Sequence, residues 1–126
     1  MVGLSSDGQL AAAVAAGPRR LVFLWRCHRG GDDLGSRQQD AVVELPESLG
    51  AANAISFSQD DANDFMVTCD RNVAFLAWAG DTSQLQMQVG QLITKCPGKL
   101  VDSIYQRGTT NAITVSAKGT AVFKKN

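Results

Sequence analysis

Residues 53–78, N-A-I-S-F-S-Q-D-D-A-N-D-F-M-V-T-C-D-R-N-V-A-F-L-A-W, decide the fold. They divide into three short strands and two tight turns. Ile55 and Phe57 alternate with Ala54 and Ser56, and S-Q-D-D-A-N-D follows as polar turn material. Phe65, Val67 and Cys69 then alternate with Met66 and Thr68 before the turn Asp70-Arg71-Asn72. Asp and Asn suit such turns because their side chains bond the local backbone. The last run, Val73 to Trp78, is apolar on both sides: Val73 and Phe75 on one, Ala74, Leu76 and Trp78 on the other. A strand greasy on both faces lies between two layers. The expectation is a sheet stacked between two similar sheets.

The pattern recurs on either side. Ser6-Asp7-Gly8 forms a polar turn, Leu10 to Ala16 a strand, Gly17-Pro18-Arg19-Arg20 a turn, and Leu21 to Trp25 a second strand ending in Trp. Leu10 to Ala16 is Ala-rich, which favours helix, but seven residues before Gly-Pro are short for one. After the central stretch come Asp102–Tyr105, Asn111–Val115 and Thr120–Phe123, separated by Gly-containing turns. Trp25 to Trp78 is a step of 53 residues, and Trp78 to Phe123 one of 45. Both steps fit four-stranded units of ~40–45 residues carrying loop insertions. Ala41–Leu45 and the alternating Leu85–Val89 supply fourth strands, the latter exposed and outermost. Gly90-Gln91-Leu92 reads as the opening of the next unit. The Gly-rich, charged segment 26–40 reads as a solvated loop.

Composition narrows function mainly by exclusion. The chain has 126 residues, enough for one domain, and 44% of them are apolar, enough for a core. Twelve basic residues balance twelve acidic ones, so no basic excess points to nucleic acid or anionic lipid. No apolar run reaches the ~20 residues of a membrane span. The start lacks the charged opening of a signal peptide, which implies a cytosolic or cytoskeletal setting. Cys27, Cys69 and Cys96 are odd in number and form no C-x-x-C pair; they are expected to pack as reduced thiols. The pair Cys27-His28 falls short of the four ligands that zinc takes. The acids Asp32-Asp33, Asp60-Asp61 and Asp64 fall in turns, where they have structural work. His28 is the sole histidine, no nucleophile elbow surrounds a serine, and Gly30-Gly31 and Gly35 lack a following helix and Lys. No enzyme, cofactor or metal is expected.

The repeats resemble WD40 blades across nearly the whole chain. The resemblance implies an all-β fold of about two and a half to three antiparallel four-stranded blades of an incomplete WD40-type β-propeller. The copies run roughly 1–45, 46–90 and 91–126. The positions matching the family's structural residues are Asp7, Gly8 and Trp25, then Thr68, Asp70 and Trp78, with Phe123 replacing the Trp of the third copy. Lys118 stands at that copy's Asp position. The family joins a loop His, a Ser or Thr, the turn Asp and the Trp by hydrogen bonds. Thr68, Asp70 and Trp78 are candidates for three members, but the His is absent from every copy, since His28 lies in a different loop.

The central stretch and the phrase G-K-L-V-D-S-I-Y-Q-R-G-T-T-N-A-I-T-V-S-A-K-G are similar to blades of cilia- and flagella-associated WD-repeat proteins of the axoneme, and less closely to echinoderm microtubule-associated protein-like propellers. That implies a non-enzymatic interaction scaffold in the ciliary or flagellar cytoskeleton. Its partners would be axonemal or microtubule-associated subunits, with no nucleic acid and no membrane. The alternative is an adaptor or substrate receptor in a soluble cytosolic complex.

Strand counting gives the first copy a poor opening strand plus three, the second four and the third three. Closed propellers have 4–8 blades. Stopping near three leaves two apolar end faces, each exposing on the order of 5–10 kcal/mol of burial at ~25 cal/mol/Å². Further blades, in the same or another chain, are expected to cover them.

Overall fold

Runs of β-branched and aromatic residues separated by Gly, Asp and Asn turns form three antiparallel sheets in the computed structural model, which describes residues 1–15, 17–27, 39–95 and 98–125. The first sheet contains β1 (Val2–Leu4), β2 (Leu10–Val14), β3 (Leu21–Arg26) and β4 (Ala41–Glu44), in that order. A 3-10 turn, Glu47–Leu49, leads to the second sheet: β5 (Ala52–Phe57), β6 (Asp64–Cys69), β7 (Val73–Ala77) and β8 (Gln86–Val89). The third combines β9 (Gln91–Leu92), β10 (Leu100–Tyr105), β11 (Ala112–Ser116) and β12 (Gly119–Lys124), ordered β10-β11-β12-β9. Each sheet falls within one of the copies read from the sequence. Leu10–Val14 is strand and not helix, as expected from its length. Among the described residues, no helix is long and apolar enough to cross a membrane.

The third sheet departs from the sequence reading. It has four strands, not three, and Gln91–Leu92 forms its outermost strand instead of opening the unit. Phe123 pairs with Leu92 and Lys124 with Gln91. The pairing is prolonged where Ile93 N donates to Val122 O at 2.8 Å and Val122 N donates to Thr94 Oγ1 at 3.0 Å. The free edge of β12 recruits whatever backbone lies alongside, and two residues carry no readable alternation.

The middle sheet sits between the other two, as its two-sided strand requires. Ala74, Leu76 and Trp78 join Phe57, Phe65 and Val67 in a core shared with Leu10, Val22, Leu24 and Ala41 of the first sheet. Val73 and Phe75 point the other way, into a second core with Met66, Leu100, Ala112, Ala121 and Phe123. Alternation along β7 thus divides one strand between two cores. The innermost strands β1, β5 and β10 lie side by side, with β5 between the other two. At the outer rim, Val42 N donates to Ser83 O and Leu85 N donates to Val42 O, lacing β4 to the segment before β8. Most of the 26–40 segment, with His28, Gly30, Gly31, Asp32, Asp33 and Gly35, lies outside the described residues, as does Cys96.

Candidate functional site

The turn residues singled out by the sequence do local work first. The Ser5 hydroxyl and the Gln9 N–H both donate to Asp7 Oδ1, at 2.6 and 2.9 Å. Those bonds, the Ser5 hydroxyl foremost, hold the Asp7 carboxyl below its ordinary value. Gly8 completes this turn at φ 71°, a conformation cheap only for glycine. Asp70 is a larger junction. It accepts from Asn53 Nδ2 at 2.9 Å and from Ala51 N at 3.1 Å, and Lys99 Nζ stands 3.7 Å away. These donors, led by Asn53, hold its carboxyl low. Asn53 Nδ2 also donates to Leu100 O, and Leu100 N donates to Asp70 O. One Asp–Asn pair therefore joins the second sheet to the first residue of β10.

Thr68, Asp70 and Trp78 do not form the joint network read for them. Thr68 Oγ1 donates to Ser103 Oγ of the third sheet at 2.6 Å, with both residues buried. Trp78 Nε1 donates to Thr82 O at 3.0 Å. With no histidine to bridge them, each side chain finds a nearer partner. The Arg26 guanidinium, from the end of β3, stacks over the Trp78 ring at 4.7 Å and donates to Gly80 O. These partners, Ser103, Asn53, Lys99 and Arg26, escaped the sequence reading because each acts between sheets, at separations of 29 to 54 residues.

The aromatic positions do share one geometry. Trp78 faces the first sheet and Phe123 faces the second, so each looks toward the sheet before it in the chain. Trp25 lies on the corresponding face of the first sheet, opposite the side that carries Val22 and Leu24 into the core. Among the described residues no sheet lies on that side. Trp25 Nε1 is buried without a hydrogen-bond partner among the described residues, whereas the Trp78 indole has one.

Both outer faces are apolar. On the first sheet, Val2, Ala13, Phe23 and Val42 stand in register across all four strands, and Leu4, Ala11 and Trp25 form the next row. Val2 is 72% exposed and Leu4 63%. On the third sheet, Ile104, Ile113 and Val122 form a row, with Val115 beside it between Asp102 and Thr120. Ile104 is 63% exposed and Val115 42%. A shallow depression of about 130 Å³ lies among Ile104, Ile113 and Val115. The signal was readable: β11 carries Ile113 and Val115 on one side, opposite the buried Ala112 and Thr114. Open clefts also mark the surface beside the inner faces. One, of about 400 Å³, lies between the first and second sheets beside Asp7, Arg26 and Trp78. The other, of about 430 Å³, lies at one end of the inner strands beside Leu4, Ser56, Phe57 and Ile104.

The acids of the β5–β6 turn are engaged structurally. Ser58 Oγ accepts from the N–H groups of Asp60 and Asp61, and Asp61 Oδ1 accepts from Asn63 N. Burial raises the Asp64 carboxyl, against the pull of Lys125 at 3.9 Å. Among the described residues, no three His, Cys, Asp or Glu side chains converge as a metal-binding group. Cys69 is a free thiol that burial pushes up to about 11, away from reactivity at neutral pH. No family model matches the chain. No curated protein matches it at a significant level either.

Proposed function

We propose that this chain is a non-enzymatic interaction scaffold made of three blades of an incomplete WD40-type propeller. One observation carries the reading. Three four-stranded sheets stack face to face with their inner strands adjacent, and among the described residues no further sheet covers the apolar faces at the two ends of the stack. Large exposed apolar patches on soluble proteins mark interaction sites. The common orientation of Trp25, Trp78 and Phe123 supports a repeated unit, and the carboxylates of Asp7, Asp61 and Asp70 accept hydrogen bonds that shape their turns. The ciliary or flagellar setting rests on the resemblance of the central stretch and the 98–119 phrase to axonemal blades. Its partners would be axonemal or microtubule-associated proteins.

Sedimentation with salt-washed axonemes tests the setting. The tagged chain should pellet with axonemes and stay in the supernatant without them. Failure to pellet, with recovery in a soluble ubiquitin-ligase assembly, would favour the adaptor reading and sink the axonemal one.

A further inference from the structure

We infer that the strand ends carrying the β2–β3, β6–β7 and β11–β12 turns form a docking surface for an acidic segment of a partner protein. The inference rests on the scaffold reading above and names the chemistry of what the scaffold holds. It starts from where charge lies in a chain whose net charge is zero. Antiparallel strands place alternate turns at opposite ends of a sheet. Asn53 Nδ2 donates to Leu100 O and Ser56 Oγ to Ser103 O, so β5 and β10 run parallel with like ends together. Arg20 Nη1 donates to Glu47 O, which brings the β2–β3 turn to the end where the chain enters β5. The three turns therefore share one end, and they carry Arg19, Arg20, Arg71 and Lys118 against Asp70. The described residues of the turns at the other end include Asp7, Asp40, Asp60, Asp61 and Asp81 against Arg107. At that acidic end Lys125 lies 3.9 Å from Asp64, and Arg26 stacks on Trp78.

The cations of the basic end form a row across all three sheets. Arg20 Nη1 and Arg71 Nη1, from different sheets, donate to the carbonyls of Glu47 and Ser48 at 3.0 and 3.2 Å. A guanidinium has five N–H donors, so one such bond steadies each side chain and leaves others for carboxylates. Lys99 stands beside Asp70, whose carboxylate already accepts from Asn53 and Ala51, and a Cβ on Gly98 would lie 3.7 Å from Lys118 Cδ. A depression of about 380 Å³ opens among Asp70, Arg71, Gly98 and Lys99. Exposed ion pairs are individually weak, so recognition here needs several at once, which successive Asp or Glu residues supply. Nucleic acid fits less well. None of the three turns carries an aromatic residue on which a base could stack, and Glu44, Glu47 and Asp70 interrupt the positive row along which a continuous phosphate backbone would run.

Fluorescence anisotropy of a labelled oligoglutamate, titrated with the 126-residue chain, tests the surface. Binding should saturate at low salt and weaken about tenfold between ~50 and ~300 mM salt. Arg71→Glu combined with Lys118→Glu should weaken it by about tenfold. Arg107→Glu combined with Lys124→Glu changes net charge equally at the other end and should leave binding within about twofold. Lys118→Glu alone, in an exposed hairpin turn, should cost about threefold, and far-UV circular dichroism checks that the strands persist in every variant. An oligothymidylate of equal charge and vesicles containing phosphatidylserine should both bind more weakly than the peptide. No binding at low salt, equal weakening by the two double variants, or tighter binding of the oligothymidylate or the vesicles would overturn the proposal. A chain that ignores the peptide yet pellets with axonemes would sink this surface and leave the scaffold standing. A chain that binds the peptide at this end but does not pellet would keep the surface and sink the axonemal setting.

Discussion

Asp70 shows how much one turn residue can hold. Its carboxylate joins the start of β5 through Ala51 and Asn53, and its carbonyl receives Leu100 of the next sheet. Hydrogen bonds to charged groups contribute more than neutral ones, so Asp70→Ala should lower stability by about 1.5–3 kcal/mol in urea titrations. A variant within error of the parent would remove Asp70 from the framework. Gly50 is the counterpart in space: its φ is 83°, and an added Cβ would lie 2.6 Å from the Asp70 Cβ. Gly50→Ala should therefore destabilise through both backbone strain and displacement of Asp70. Acidification probes the same site, because the donors that lower the Asp7 and Asp70 carboxyls stabilise the fold above the ordinary carboxylate range. That contribution is lost as pH falls through their depressed values.

Cys69 works at the other end of the pH scale. Its thiol ionises near 9.0 ordinarily and near 11 inside the fold, because burial penalises the thiolate. The folded state therefore keeps a proton that the unfolded chain releases. Stability is whole below pH 9 and falls as pH rises to 11, by on the order of 2–3 kcal/mol. Burial of Tyr105 acts in the same direction. Denaturant midpoints across this range should fall, and the fall should shrink in Cys69→Ala. Alkylation at neutral pH should spare Cys69 until denaturant is added, and prompt labelling of the native protein would contradict the burial.

At the scale of elements, β7 was the most legible part of the chain. An apolar run from Val73 to Trp78 allows no partly solvated sheet, and the two cores divide Val73 and Phe75 from Ala74, Leu76 and Trp78 as the alternation requires. β9 was not legible, because two residues have no period and its partner lies 31 residues on. The Thr68–Asp70–Trp78 grouping failed for a related reason. Sequence order places the three near one another, but the bonds Thr68 makes depend on Ser103, which register brings from the adjacent sheet. That bond links the second and third sheets in a dry site, so it should couple their mutational effects. Thr68→Val leaves the Ser103 hydroxyl without its partner and should cost ~1–3 kcal/mol. The double variant Thr68→Val with Ser103→Ala should cost less than the sum of the singles, with a coupling of about 0.5–3 kcal/mol. Additive singles would show that the hydroxyls do not act as a pair.

For the whole molecule, the distribution of burial sets the order of opening. Amides exchange by local or global unfolding, and the elements with the most covered apolar contacts open last. Among the described residues the middle sheet alone has other sheets on both faces, and Phe65, Met66, Val67, Val73 and Ala74 are fully buried. β1 is three residues at the edge of the first sheet, with Val2 and Leu4 exposed, and β9 is two residues holding the edge of the third. Hydrogen exchange should therefore release β9 and β1 first and the paired amides of β6 and β7 last, at rates that approach global unfolding. Protection in β1 or β9 equal to that in β6 would contradict the sandwiched middle sheet.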